Sequence, residues 1–528
     1  NATLARQYDG TTAAAGSTLS SFDALQGGET LTLSGSGTAA NDNVANGISV
    51  SSLGTLALVD GTGAASNYSL NSAAINITQR VLNSSGSKTY NANTNALAAD
   101  ITLSNLVSGE ALNHSGTATI GSANAGSYTI SNLSGITIAD GSGGAASNYT
   151  LTGGTHNFIV NRRPVSVSGT RLYDATTNAV ASDLSTHANL VGSQTLTLSG
   201  TGTIASKDVG SSKTVSVGTL ALGNGSNGGL AANYTLTGGT HQLTVNQRPL
   251  NATLARQYDG TTNAAGSDLS SFDALQGGET LTLSGSGTAA NDNVANGISV
   301  SSLGSLALVN GTGLASNYSL NSAAINITQR VLNSSGSKTY DANTNALAGA
   351  ITLSNLVSGE ALNHSGTATT SSANAGSYTI SNLSGISIAD GSGGAASNYT
   401  LTGGTHNFTV NPKVISLSGT RLYDATTNAV ASDLTTISGR VGSETLALSG
   451  TGSVANANVG NNKTVTLGTL ALGDGTGLAA NYTLSGGTHQ LTVNQRPLAA
   501  TIARQYDGSN TAAGSDLSSF DALQGGET

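Results

Sequence analysis

Short stretches of alternating apolar and hydroxyl side chains recur along the whole chain. Thr30 to Ser34 reads TLTLS and Ala74 to Thr78 reads AINIT, so Leu or Ile occupies every second position. An alternation of period two places all the apolar side chains on one face of a strand. Glycine-rich breaks such as Gly141 to Gly144 separate these stretches, and no segment keeps a helical period. The pattern predicts an all-β fold of many short strands joined by turns.

Two tyrosine marks repeat along the chain. The first mark joins a basic residue to a tyrosine two positions later, at Arg6/Tyr8, Lys88/Tyr90, Arg171/Tyr173, Arg256/Tyr258, Lys338/Tyr340, Arg421/Tyr423 and Arg504/Tyr506. The second mark is Asn-Tyr followed by Ser or Thr and then Leu, with its tyrosine at Tyr68, Tyr149, Tyr234, Tyr318, Tyr399 and Tyr482. Repetition at a fixed period predicts an array of similar structural units.

The repeats divide the chain into modules of about 83 residues. The string NATLARQYD at Asn1 returns at Asn251, so one period of 250 residues contains three module types in the order 1-2-3-1-2-3-1. We therefore predict modules 1 to 7 at residues 1–79, 80–161, 162–246, 247–329, 330–411, 412–494 and 495–528, the last of them partial.

Each module is long enough to close a small core of its own. We predict a small, Ig-like β-sandwich with tyrosines and aliphatic side chains inside. All four prolines, Pro164, Pro249, Pro412 and Pro497, fall where one module meets the next, and no flexible linker separates the modules. Because proline fixes φ, these junctions predict an elongated, semi-rigid rod. A parallel β-solenoid is the alternative fold, since solenoid repeats have a similar composition.

Composition excludes several classes of protein. Charged residues are 9% of the chain, aromatic residues 4%, and Cys, Met and Trp are absent. Without cysteine there is neither a disulfide framework nor a thiolate metal site. The net charge is −9 without a basic cluster, so we expect no nucleic-acid partner. No apolar run approaches the length of a membrane span, so we expect no membrane insertion.

Several polar residues repeat with the modules and are candidates for a functional site. A glutamate follows a turn at Glu29, Glu110, Glu279, Glu360, Glu444 and Glu527, and Gln194 stands there in module 3. We expect these acids to form cross-strand ion pairs with the basic residues of the first mark, or those basic residues to pack on a ring. The histidines of GGTH are expected to be exposed strand residues, and Asp-Gly pairs such as Asp60-Gly61 to be plain turns. We therefore predict no catalytic, cofactor or metal site, and no enzyme.

The tyrosine marks and the Gly-Gly-Glu turn at Gly27 to Glu29 resemble the YDG and MBG (mostly-β, glycine-rich) repeats of filamentous-haemagglutinin-like adhesins. The literal Tyr-Asp-Gly triplet stands only in type-1 modules, at Tyr8, Tyr258 and Tyr506, and alanine replaces the glycine in the other types. The resemblance implies export across the outer membrane of a Gram-negative bacterium and an extracellular location at the cell surface. It carries over no catalytic residue.

These features predict the structural repeat region of a secreted surface fibre or adhesin stalk. Such a region projects an adhesive tip or builds extracellular, biofilm-type filaments. The expected partners are neighbouring modules of the same chain, with identical chains in a filament and surface glycans or proteins as further candidates. The alternative is a repetitive glycan- or surface-binding array whose weak sites act together.

Overall fold

A computed structural model describes residues 1–528 and has an all-β fold of tandem modules, as the sequence predicted. The chain folds as two compact units. The first contains Asn1–Pro249, Leu275–Glu279 and Thr312–Ser319, and the second contains Leu250–Ala274, Thr280–Gly311 and Leu320–Thr528. None of its helices has the length and apolar character needed to cross a bilayer.

Module 1 shows how one module is built. Its strands are β1 (Ala2–Gln7), β2 (Ala13–Ala15), β3 (Leu19–Phe22), β4 (Leu31–Ser34), β5 (Ser36–Ala39), β6 (Ala45–Ser52), β7 (Ala57–Asp60) and β8 (Ala73–Thr78). Six of them form a sheet in the order β2-β5-β6-β8-β1-β3, and β4 and β7 form a separate antiparallel ribbon. The first and last strands, β1 and β8, are parallel neighbours. The chain therefore enters and leaves the module at opposite ends of one strand pair.

Modules 2 and 3, in the first unit, repeat this plan. Module 2 has β9 (Arg80–Val81), β10 (Asn83–Thr89), β11 (Asn95–Leu97), β12 (Ile101–Ser104), β13 (Asn113–Ile120), β14 (Gly126–Asn132), β15 (Ile136–Ala139), β16 (Tyr149–Thr150) and β17 (His156–Asn161). Module 3 has β18 (Arg163–Pro164), β19 (Ser166–Leu172), β20 (Asn178–Val180), β21 (Thr186–Ala188), β22 (Leu196–Ser199), β23 (Thr201–Ile204), β24 (Gly210–Ser216), β25 (Ala221–Asn224), β26 (Tyr234–Thr235) and β27 (Gln242–Asn246). In both, a strand near the start pairs in parallel with the last strand, β10 with β17 and β19 with β27.

The later modules have the corresponding strands. Module 4 has β28 (Arg248–Gln257), β29 (Asn263–Ala265), β30 (Leu269–Phe272), β31 (Leu281–Ser284), β32 (Ser286–Ala289), β33 (Ala295–Ser302), β34 (Ala307–Asn310) and β35 (Tyr318–Thr328). Module 5 has β36 (Arg330–Val331), β37 (Asn333–Thr339), β38 (Asn345–Leu347), β39 (Ile351–Ser354), β40 (Leu362–Thr370), β41 (Gly376–Asn382), β42 (Ile386–Asp390), β43 (Tyr399–Thr400) and β44 (His406–Asn411). Module 6 has β45 (Lys413–Val414), β46 (Ser416–Leu422), β47 (Asn428–Val430), β48 (Thr436–Ser438), β49 (Leu446–Ser449), β50 (Thr451–Ser453), β51 (Gly460–Thr464), β52 (Ala471–Asp474), β53 (Tyr482–Thr483) and β54 (His489–Asn494), and partial module 7 has β55 (Ala500–Ile502) and β56 (Leu517–Phe520).

Single-turn 3-10 helices connect many of these strands. They lie at Gly16–Thr18, Ala65–Asn67, Ala98–Asp100, Ala146–Asn148, Ala181–Asp183, Ala231–Asn233, Gly266–Asp268, Ala315–Asn317, Ala348–Ala350, Ala396–Asn398, Ala431–Asp433, Ala479–Asn481 and Gly514–Asp516. A 3-10 helix directly precedes the tyrosine of each Asn-Tyr mark, and it sets the direction in which the tyrosine ring points.

The parallel β-solenoid is wrong for this chain. Most neighbouring strands are antiparallel, and each complete module forms its own sheet around its own first and last strands instead of continuing one coil. Antiparallel neighbours joined by short turns are what period-two stretches between glycine-rich breaks produce.

The hydrophobic core of a module continues into the next module. Leu4, Ile75 and Ile77 of module 1 are almost fully buried, and the same apolar cluster contains Leu82 and Tyr149 of module 2. Each fully buried aliphatic side chain contributes about 1.5–3 kcal/mol. Two adjacent modules thus share one buried cluster, and the shared part lies where the chain passes from one module to the next.

Candidate functional site

The junction between modules 1 and 2 brings two tyrosines onto one carboxylate. Tyr8 follows β1, Tyr149 follows the 3-10 turn Ala146–Asn148, and Glu110 ends a tight turn of module 2. Tyr8 donates its hydroxyl hydrogen to Glu110 Oε1 at 2.6 Å, and Tyr149 donates to Oε2 at 2.5 Å. The ring centroids lie 5.4 Å apart with an interplanar angle of 80°. This edge-to-face arrangement is the favoured geometry of an aromatic pair.

Burial and a second hydrogen bond fix these rings. The exposed fractions of Tyr8 and Tyr149 are 4% and 1%. The Tyr149 oxygen also accepts a hydrogen bond from the Val107 backbone N–H at 3.0 Å. The pKa of both Tyr8 and Tyr149 is raised to about 12; burial is the largest cause, and the hydrogen bond to Glu110 is the second. Both phenols are therefore neutral donors at physiological pH, and both oxygens of the carboxylate are used.

A buried asparagine forms a second contact across the junction. Asn148 Oδ1 accepts the backbone N–H of Val44 at 2.8 Å, and Asn148 Nδ2 donates to Asn43 Oδ1 at 3.1 Å. Asn148 belongs to module 2 and is 1% exposed, whereas Asn43 and Val44 lie in the β5–β6 loop of module 1. Because a buried amide must satisfy its hydrogen bonds, this contact fixes the position of one module against the next.

The chain that links the two modules also contacts both. Arg80 Nε donates to the backbone oxygen of Asn105 at 2.6 Å, its Nη2 to Asn105 Oδ1 at 2.9 Å, and its Nη1 to the Tyr8 backbone oxygen at 3.4 Å. The preceding Gln79 donates from Nε2 to the Ser147 backbone oxygen at 3.1 Å. The linker is thus held by side-chain hydrogen bonds to both modules.

The same cluster recurs at the later junctions. Tyr258 and Tyr399 each donate to Glu360 at 2.6 Å, with centroids 5.5 Å apart. Tyr340 and Tyr482 both donate to Glu444, with centroids 5.4 Å apart. Buried asparagines equivalent to Asn148 form the second contact at Asn233, Asn317, Asn398 and Asn481. One arrangement is therefore copied from junction to junction with little change.

The second junction replaces the carboxylate with an amide. Gln194 Oε1 accepts the Tyr234 hydroxyl, and Gln194 Nε2 donates to the Tyr90 oxygen at 3.0 Å. The centroids of Tyr90 and Tyr234 lie 5.3 Å apart at an interplanar angle of 77°. An amide thus preserves the geometry, but it carries no charge and turns one of the two phenols into an acceptor.

The third junction adds a cation. Tyr173 and Tyr318 donate to Glu279 at 2.7 and 2.9 Å, and Lys207 Nζ lies 2.6 Å from Glu279 Oε1 and 5.8 Å from the centre of the Tyr173 ring. Burial raises the pKa of Glu279, but the hydrogen bonds from Lys207 and the two tyrosines outweigh it, and the net shift is downward. The hydrogen bond to Glu279 in turn raises the pKa of Lys207. Ala457 stands at the equivalent position of module 6, so this ion pair is specific to one junction.

The basic residues of the first mark do not pair with these glutamates, which corrects our expectation. Arg6 forms an ion pair with Asp9 in its own turn, and Arg171, Arg256, Lys338, Arg421 and Arg504 do the same with the aspartate three positions later. Lys88 has Asn91 at that place and donates instead to Asn93 Oδ1 at 2.9 Å and to the Asn95 backbone oxygen at 2.6 Å. Burial lowers the pKa of Lys88. These residues close the turn that carries the first tyrosine.

Three tyrosines form only part of this cluster within residues 1–528. Tyr68 donates to Glu29 Oε2 at 2.7 Å and is only half-buried, because no other tyrosine packs against it. Tyr423 donates to Glu527 of partial module 7. Tyr506 is 96% exposed. Comparing Tyr68 with Tyr149 therefore shows how much burial a preceding module provides.

The GGTH histidines are buried, so the expectation of exposed strand residues was wrong. His156, His241, His406 and His489 have exposed fractions between 5% and 9%. His156 Nε2 lies 2.7 Å from the Leu151 backbone oxygen, and its Nδ1 lies 2.9 Å from Ser84 Oγ. Both ring nitrogens are thus used inside the module. No group of three His, Cys, Asp or Glu side chains in residues 1–528 has the arrangement of a metal site, and Asp60 accepts a turn hydrogen bond from the Ala65 N–H at 2.7 Å.

Sequence reasoning found the tyrosines and glutamates but missed the asparagine and linker contacts. The Asn of each Asn-Tyr mark repeats as regularly as the tyrosines do, and a Gln-Arg pair stands at four of the six places where a new module begins, with Arg162-Arg163 and Pro412-Lys413 at the other two. That regularity was the available signal, because a polar residue that repeats beside a buried ring is a candidate for a buried hydrogen bond.

Six successive segments of the chain match the model of one protein family. The family is described as the YDG domain, and the matched residues are 1–77, 74–156, 161–242, 240–326, 324–407 and 405–490. No curated protein matches the chain.

Proposed function

We propose that this chain, which belongs to the YDG domain family, is the structural stalk of an extracellular bacterial fibre or adhesin. Its modules project an adhesive tip from the cell surface or build extracellular filaments. The observation that carries the proposal is the Tyr-Glu-Tyr cluster, which joins successive modules through the same contacts at each Glu junction. A stalk requires a joint that is repeated and resists opening.

The energetics of one junction support a mechanical role, in which the joint between two modules resists opening. An aromatic pair contributes about 0.5–1.5 kcal/mol beyond its buried area, and each hydrogen bond to a charged group contributes about 1.5–3 kcal/mol. The junction between modules 1 and 2 has one such pair, formed by Tyr8 and Tyr149, and two such bonds to Glu110. Several kcal/mol at each joint favour modules that are held in place over modules that move as beads on a string.

The absence of cysteine is compatible with export in an unfolded form, because no disulfide can form before export. The resemblance of the tyrosine marks to repeats of filamentous-haemagglutinin-like adhesins supports a Gram-negative cell surface. The burial of Tyr8 and Tyr149 weighs against a glycan-binding array, because aromatic platforms for sugars must be exposed and the chain has no tryptophan.

The test compares the full chain with a variant that lacks one 250-residue period, residues 1–250. Small-angle scattering should give a maximum dimension that falls in proportion to the deleted period. A chain that carries a binding domain at one end and a bead anchor at the other should lose reach in the same proportion. Dimensions that follow coil statistics would refute the stalk, and saturable binding of the untethered chain on a glycan array would favour the binding array instead.

A further inference from the structure

We propose that the three junctions whose shared glutamate has no lysine partner are sites of oxidative tyrosine–tyrosine cross-linking, with a small one-electron oxidant as the co-reactant; the Glu279 junction, where Lys207 occupies the carboxylate, is left out. The pairs are Tyr8 with Tyr149, Tyr258 with Tyr399, and Tyr340 with Tyr482. The product is a carbon–carbon bond between the ring carbons next to the two hydroxyls, and it joins one module covalently to the next. The inference does not depend on the stalk role, because it rests only on the chemistry of the cluster.

The first argument is proximity. The two rings of each pair lie 5.4 or 5.5 Å apart between centroids, and both hydroxyls bind the same carboxylate. Both hydroxyls, and the ring carbons next to them, are therefore held beside one carboxylate. The ring planes meet at 78–80°, and coupling requires the two rings to move together from this edge-to-face contact.

The second argument is the base. A phenol that loses an electron becomes a strong acid, and its proton must leave at once. Tyr8 and Tyr149 are 2.6 and 2.5 Å from an oxygen of Glu110, within the range at which a general base takes a proton. The raised pKa of both phenols means that neither ionises beforehand, so electron and proton leave together.

The electrons and protons balance as follows. Each tyrosine gives one electron to the oxidant and one proton to the glutamate, which passes it to water before the second transfer. The two ring radicals then form one carbon–carbon bond. The hydrogen on each coupled carbon moves to the phenol oxygen and restores the aromatic ring. In total two phenols lose two electrons and two protons, and two equivalents of oxidant are reduced.

The third argument is burial, which determines the ring with which a tyrosyl radical can couple. The rings of Tyr8 and Tyr149 are 4% and 1% exposed, so a radical formed there meets only the other ring of its pair. Tyr506, which is 96% exposed, has no such restriction and reports coupling between different molecules.

The chain contains its own control. Tyr90 and Tyr234 lie 5.3 Å apart with nearly the same ring angle, but their shared residue is Gln194. Gln194 Nε2 donates to the Tyr90 oxygen at 3.0 Å and Gln194 Oε1 lies 3.4 Å from it, but a neutral amide oxygen is too weak a base to take the phenol proton. The two rings are thus as close as in the glutamate pairs, but no carboxylate is present to take a phenol proton.

The experiment exposes the full chain to a photo-oxidised ruthenium tris-bipyridyl complex with persulfate. Dityrosine fluorescence and mass spectrometry of protease digests then locate the links. We expect links at the three glutamate pairs and ~100-fold less at Tyr90–Tyr234, the lower end of what proton transfer contributes. Gln194→Glu should create the missing link, and Glu110→Gln should remove only Tyr8–Tyr149.

Two results would overturn the proposal. One is equal yield at the Gln194 and glutamate junctions, which would make proximity alone sufficient. The other is coupling confined to Tyr506. Unchanged circular dichroism and unchanged hydrogen exchange of the Val107 N–H, which donates to Tyr149, show that the junction of the Glu110→Gln variant is folded, so loss of its own link is informative. These outcomes differ from failure of the stalk role, which the scattering experiment measures separately.

Discussion

Removing the shared carboxylate of one junction gives the most direct test of the energetics. In Glu110→Ala the hydroxyls of Tyr8 and Tyr149 lose their common acceptor, while both rings stay buried. A buried polar group without a partner costs about 1–3 kcal/mol. The variant should therefore weaken its junction by ~2–6 kcal/mol.

Hydrogen exchange detects this local loss without requiring the whole array to unfold in two states. The Val107 N–H donates to the Tyr149 oxygen, so its exchange reports opening of the junction. A loss of 2 kcal/mol corresponds to exchange that is ~30-fold faster, since 1.4 kcal/mol is a factor of ten. The assay is mass spectrometry of the peptide that contains position 110.

Two controls are built into the chain. Residues 351–369 have the same sequence as residues 101–119, so the Glu360 junction is an unchanged copy whose peptide differs in mass from the mutated one. Glu29→Ala removes the acceptor of Tyr68 alone and should accelerate exchange of the Gln26 N–H, which donates to Tyr68, by a smaller factor. Unchanged exchange at Val107, or an equal effect of Glu29→Ala, would refute the shared-carboxylate account.

Three further predictions concern the same junctions. Gly10→Ala should destabilise the first junction by ~1–2 kcal/mol, because Gly10 has φ +71° and a Cβ there would lie 2.6 Å from Val107 Cγ1. Denaturant-dependent hydrogen exchange at Val107 measures this loss, and an effect on module 1 alone would contradict the prediction. Lys207→Ala should speed exchange of the Val209 N–H most at low ionic strength, and the difference from the unchanged chain should shrink towards ~1 M salt because screening weakens the ion pair. A difference that does not depend on salt would disprove the electrostatic role. The pKa of Tyr8 is raised from 10 to about 12 in the folded chain, so the stability that this phenol contributes is complete below pH 10 and is lost as the pH rises through 12. The near-ultraviolet circular dichroism of the ring pairs should therefore be lost only between pH 10 and 12, and a loss at lower pH would argue against buried phenols.

The sequence predicted the fold class and the importance of the tyrosines, but not which tyrosines meet. Tyr8 pairs with Tyr149 of the next module and not with Tyr68 of its own. A periodic sequence is unchanged when it is shifted by one module, so its pattern cannot tell a contact within a unit from the same contact with a neighbour. The separation of 102 residues between Tyr8 and Glu110 became known only from the structure.

Two errors had a signal in the sequence. His156 has the same parity as Phe158 and Val160 in HNFIVN, so period two already placed it on the buried face. Arg6 stands three positions before Asp9, at the spacing of a turn, whereas Glu29 is remote in sequence. In both cases the local pattern was correct: strand parity outweighed the rule that polar residues are exposed, and turn spacing outweighed the expectation of an ion pair with a distant acid.

A junction made of one carboxylate and two phenols suits a chain with few charges. The two donors satisfy both oxygens of the glutamate, so the charge can be half-buried without a cation, and only the third junction adds one. Each module carries the first tyrosine on the side of one neighbour, and the second tyrosine and the acid on the side of the other. The same contacts therefore serve all three successions that occur in the order 1-2-3-1-2-3-1, from type 1 to 2, from 2 to 3 and from 3 to 1. A single substitution at the acid, such as Gln194, changes the charge of a joint but leaves its geometry intact, so joints of different strength can be placed along an array without redesigning the modules.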